Sequence, residues 1–216
     1  MMKLFQPVKK GAVSLRVSDA IREAIFSSKL RPGDALFEAH LAKDFRVSQT
    51  SVREGLLNLE QYGLVRRVRN RGTFVTKLSA EDISERVAVH TTLEEMACIQ
   101  AARRLREEHF KELSKRARAV STTVSQNAYS EVPVAEFNFH HYVWENSGNR
   151  FLCQTLDQVS APLFAFAGML RSARAENLKR GIRISHQEIV SALRGGKPET
   201  IRNAIKAHIN HSYNGI

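Results

Sequence analysis

The sequence predicts a mainly α fold in two parts: a small N-terminal unit of helices closed by one β-hairpin, then an all-α helical bundle. Three observations predict it. Apolar residues recur at helical intervals through most of the 216 residues. Strand-like β-branched runs are confined to residues 64–77, around a turn rich in Arg, Asn and Gly. Turn-forming residues then fall at helix ends, at Pro32-Gly33, Ser147-Gly148-Asn149, Gly195-Gly196 and Pro198.

Taken in order, the first helix runs from about Val13 to Ser28, with Ala20, Ile21, Ala24 and Ile25 on one face, and stops before the Pro32-Gly33 turn. Leu36, Leu41 and Phe45 predict a short second helix with one buried stripe. Arg46 closes the following turn, Val47 and Val52 flank it as a staple, and Ser48 is an N-cap, so a third helix begins at Gln49. Val52, Leu56 and Leu59 point that helix at the core and leave Gln49, Thr50 and Arg53 on the opposite face. After Gly63 come two strands, Leu64 to Val68 and Thr73 to Lys77, joined through Arg69-Asn70-Arg71-Gly72.

Helix, tight turn, helix and basic hairpin together make a winged helix-turn-helix. In such units the head of the second motif helix enters the DNA major groove, where Gln pairs with adenine and Arg with guanine. The expected DNA-binding residues are Ser48, Gln49, Thr50 and Arg53 on that helix, with Arg66, Arg67, Arg69, Arg71 and Gly72 in the wing. Wing arginines lie along phosphates or reach the minor groove. Charge agrees, since residues 1–77 hold 15 Lys+Arg against 7 Asp+Glu, a net of +8 out of the chain's +11.

The domain junction falls where the wing ends, and Ser79 or Ser84 can cap a new helix. The expected division is a DNA-binding domain over 1–77, a linker over 78–84 and a helical domain over 85–216. Helices are expected at roughly 81–107, 109–127, 131–146, 149–170, 174–194 and 197–213. No apolar run spans a bilayer and the first residues lack a signal-peptide core, which predicts a cytoplasmic protein. Cys98 and Cys153 lie in apolar helical contexts without C-x-x-C spacing and read as buried free thiols of a reduced compartment.

Within the helical domain, Glu136 and His140 are four residues apart and share a face. His186 and His208 are placed symmetrically about the Gly195-Gly196 turn, so an antiparallel helix pair brings them to the same height. Three imidazoles and a carboxylate then converge as a candidate divalent-metal site, zinc first, with nickel or manganese as alternatives. His109, His141 and His211 read as ordinary surface or packing residues, and Phe137, Phe139, Trp144, Phe151, Phe164 and Phe166 as bundle core.

The segments LRPGDALFEAHLAKDFRVSQTSVREGLLNLEQYGLV and RGTFV resemble the N-terminal domain of GntR-family bacterial regulators. The segments TTLEEMACIQAA, EFNFHHYVWENSGNRFL and SHQEIVSALRGGKPETIRNAIKAHI are similar to the FCD effector-binding domain of that family's FadR-like branch. This resemblance implies a homodimer on a palindromic operator, controlled by a small carboxylate bound beside a metal. It maps the metal ligands onto Glu136, His140, His186 and His208, and the effector contacts onto His90 and Asn149. Three positions depart from the family pattern: Glu136 stands where Asp is usual, His90 where an Arg is common, and Gln49 where many relatives carry Arg. The leading expectation is a metabolite-controlled DNA-binding repressor without enzymatic activity. The alternative is a metal-dependent enzyme acting on a small acid, with an accessory DNA-binding domain.

Overall fold

The Pro32-Gly33 turn sets the edge of the N-terminal unit. The computed structural model describes residues 11–172 and 186–213. Helix α1 (Gly11–Phe26) buries Val17, Ile21, Ile25 and Phe26. The chain then turns through Gly33, whose φ of +91° suits a residue without Cβ, and enters a short strand, β1 (Ala35–Leu36). Leu36 therefore lies in a strand, not in the second helix where its spacing placed it. Asp34 to Leu36 lie extended along a free edge of the wing, with Ala35 opposite Phe74 and Leu36 opposite Thr73, and that pairing decides its conformation.

Helix α2 (Glu38–Phe45) ends at Arg46, whose left-handed φ of +54° makes the tight turn, and α3 (Gln49–Gln61) begins where its cap predicts. Ser48 Oγ accepts from the Ser51 N–H at 3.2 Å. Val52, Leu56 and Leu59 are buried, as the period requires. The wing pairs β2 (Val65–Val68) with β3 (Gly72–Val75), Val65 opposite Val75 and Val68 opposite Gly72, in the order β1-β3-β2. Asn70 and Gly72 take the positive φ values of +60° and +102° that the tip demands.

A capping box starts the bundle. The Asp82 N–H donates to Ser79 Oγ at 3.1 Å and the Ser79 N–H donates to Asp82 Oδ2 at 2.8 Å. Helix α4 (Ala80–Ala102) thus begins inside the span expected as linker, and residues 80–84 are its first turns. It is followed by α5 (Glu107–Ser125), α6 (Val132–Glu145), α7 (Arg150–Ser172), the helical residues 186–195 (α8) and α9 (Pro198–Tyr213). The first half of the helix expected over 174–194 lies outside the described residues up to 185. No described helix is long and apolar enough to cross a membrane.

The two parts pack directly on one another. Phe26 of α1 meets Phe137 of α6 edge-on at 5.5 Å. Gly63, at φ +66° after α3, faces Pro162 of α7, and a Cβ there would stand 3.2 Å from Pro162 Cγ. Gly63→Ala should therefore cost about 1–2 kcal/mol through the left-handed backbone alone. Further loss comes from displacing Pro162. Urea unfolding of the full chain checks this, and a variant as stable as wild type would mean that neither the conformation nor the contact is required.

Candidate functional site

The candidate DNA-facing surface follows from which face of α3 is buried. Gln49, Thr50 and Arg53 are all exposed, and Ser48 caps the helix beside them. Arg66, Arg67, Arg69, Arg71 and Gly72 are exposed along the wing. Arg53 is held by a residue that the spacing argument missed. Its guanidinium donates to Glu38 through Nε at 3.0 and 3.2 Å and through Nη2 at 2.7 Å. The Arg53 hydrogen bond holds the Glu38 carboxyl below its ordinary range. The pair spans α2 and α3, so it fixes the direction in which the Arg53 fork projects.

The buried centre lies in the bundle. His140, His186 and His208 are all buried, and one ligating nitrogen from each lies within 4.8 Å of the others. His140 and His208 approach through their Nε2 atoms to 3.1 Å, and the His186 and His208 rings lie 4.7 Å apart. The symmetry about the Gly195-Gly196 turn thus becomes contact between α8 and α9, while α6 supplies the third ring. Glu136 is buried one turn before His140, but it is not part of that close group.

A different carboxylate meets the trio. Glu94 of α4, fully buried, accepts from or shares the proton of His140 Nδ1 at 2.8 Å and accepts the Trp144 indole N–H at 2.5 Å. Burial pushes the Glu94 carboxyl up, but His140, by charge and hydrogen bond, together with His90 and Trp144, brings it below its ordinary value. A carboxylate on the far nitrogen of an imidazole fixes ring orientation and raises ligand basicity. The helical spacing of α4 marks Glu94 as inward-facing, but no local signal names its partner.

His90 sits one turn earlier on α4. It is buried, its Nδ1 lies 2.7 Å from Ser160 Oγ of α7, and burial lowers its pKa to about 4. It is therefore a neutral hydrogen-bonding group at physiological pH. Asn149 lies elsewhere, at the head of α7, where its Oδ1 accepts the Leu152 N–H at 3.0 Å beside a cleft lined by Arg103, Arg104 and Arg150. His141, read as an ordinary residue, is instead half-buried beside Asp157, whose hydrogen bond raises its pKa to about 10, with Cys153 adding to the shift.

Comparison with known proteins follows the same two-part division. Residues 13–75 match the model for bacterial regulatory proteins of the gntR family, and residues 85–211 match the FCD domain. The HTH-type transcriptional regulator YdhC of Bacillus subtilis is 27% identical over 202 residues, covering 91% of this chain and 88% of its own length. The probable D-xylose utilization operon transcriptional repressor of Paenarthrobacter nicotinovorans is 26% identical over 200 residues, covering 93% and 87%. Among solved structures, McbR/YncC of E. coli superposes with a TM-score of 0.83 over 93% of this chain and 95% of its own, at 19% identity, a likeness of fold.

Proposed function

Because this chain belongs to the gntR family of bacterial regulatory proteins and carries an FCD domain, it is a DNA-binding transcriptional regulator, and we propose that a divalent metal held by its buried histidines anchors the effector that controls it. The observation that carries this reading is the convergence of His140, His186 and His208. Three imidazoles turned towards one point suit zinc, nickel or manganese, and Glu94 behind His140 supports the fit. Glu136, buried one turn before His140 on α6, would supply a carboxylate to the same ion. The metal-dependent enzyme reading is not retained, since the matched family and the relatives named are transcriptional regulators.

When bound, the metal supplies a positive centre for a small organic acid. His90 offers a neutral hydrogen bond in place of a second cation, so the ion carries most of the attraction for a carboxylate. His90 also joins the centre to the DNA-binding unit. It bonds Ser160, and Pro162, two residues further along α7, faces Gly63 of the DNA-binding unit. An effector that moves His90 shifts the population of the two-part arrangement, and with it the spacing of two recognition helices in a homodimer on a palindromic operator. In this reading the protein is a cytoplasmic repressor, and the effector is sensed at the bundle.

Elemental analysis of protein purified without a histidine tag tests the reading. Wild type should retain metal through dialysis, and His186→Ala should lower that content while leaving the helical spectrum intact. Metal content unchanged in His186→Ala and in His208→Ala would dismiss the trio as a metal centre. A thermal-shift screen of small organic acids, with and without added metal, then identifies the effector class; the expected hits require the ion.

A further inference from the structure

The pair of histidines on α6 faces two ways. His140 points into the bundle, while His141, the next residue, turns outward to α7. There its Nε2 lies 3.3 Å from Asp157 Oδ1 and 4.0 Å from Cys153 Sγ, and the three ligand atoms all fall within 4.8 Å of one another. Cys153 and Asp157 stand four residues apart on α7, so one helical face supplies two donors and α6 supplies the third.

We propose that His141, Cys153 and Asp157 form a second metal site, separate from the buried trio, which takes a transition ion of borderline softness such as zinc or cobalt(II). The donor set decides the class of ion. Imidazole, thiolate and carboxylate suit such ions, whereas magnesium and calcium prefer oxygen alone. The geometry is close to that of a bound site, because ligand atoms around tetrahedral zinc stand about 3.3–3.6 Å apart. Only Cys153 Sγ has to draw in, a small rotation about its side chain.

Surroundings fit the role. Side-chain exposures of 29% for His141 and 15% for Asp157 put this group nearer the bundle surface than the trio, whose three rings are buried. Glu145 Oε2 lies 3.6 Å from the other His141 nitrogen, placed to orient the ring, and Phe137 stacks on the imidazole at 5.4 Å with planes 25° apart. Coordination replaces the Nε2 proton of His141 and the thiol proton of Cys153 with the ion, and both protons leave to solvent. The inference stands independently of the role proposed for the trio.

Titration of the reduced, metal-free full-length protein with cobalt(II) tests it. A near-ultraviolet thiolate-to-cobalt charge-transfer absorption should appear, vanish in Cys153→Ser, and persist in Cys98→Ser and in His208→Ala. Asp157→Asn, which keeps the thiolate and the side-chain shape, should retain the absorption while weakening cobalt affinity at least tenfold. The proposal is overturned if wild type shows no such absorption, if the absorption survives Cys153→Ser, or if Asp157→Asn leaves the affinity unchanged. Persistence in His208→Ala separates this site from the trio, so either can fail alone.

Discussion

Replacing Trp144 with alanine is expected to lower the stability of the bundle by about 3–5 kcal/mol, the range for emptying a fully buried aromatic site. Trp144 is completely buried and packs against His90, Phe137 and Phe164. Its indole N–H also supports Glu94, so the loss has a packing part and a polar part. Trp144→Phe separates them. It keeps most of the volume but removes the donor from a buried carboxylate, a loss of about 1.5–3 kcal/mol for a hydrogen bond to a charged group. Because Trp144 is the sole tryptophan, unfolding should be followed by far-ultraviolet circular dichroism rather than fluorescence. An alanine variant within about 1 kcal/mol of wild type would contradict the packing described, since buried aromatic truncations cost several times that.

Arg53→Ala should weaken binding to a specific operator, selected from genomic fragments, by about 1–3 kcal/mol at fixed salt. The ion pair with Glu38 gives this expectation a second arm. Glu38→Ala leaves the Arg53 charge but releases the fork from its fixed direction. Specific affinity should then fall while non-specific binding to random duplex rises and its salt dependence steepens, because a carboxylate near the phosphates has gone. Equal losses on operator and random DNA in Arg53→Ala would make that residue a phosphate contact, and no loss on either would remove it from the interface.

The residues of the recognition helix show how far local reasoning reaches. Ser48 caps α3, Arg46 closes the turn and Val52, Leu56 and Leu59 are buried, as spacing and capping chemistry require. Each of those features depends on residues within about one or two helical turns, so it was legible in the chain. Leu36 was not, because its partner Thr73 comes from the far strand of the wing. In the bundle the approach of His186 to His208 was legible for a related reason. A tight turn between two helices maps sequence symmetry onto height, and height onto contact.

By itself, then, the amino-acid order determined the periodic faces, the caps, the turns and the concentration of positive charge in the N-terminal third. Only tertiary structure decided that Glu94 lies against His140, across 46 residues, and that His90 bonds Ser160 across 70. It also decided that His141 has Cys153 and Asp157 for company rather than solvent. The physical reason is rotational. Periodicity states which residues share one side of a helix, whereas the angle at which that side meets a distant helix is set by how all the side chains of the core pack together.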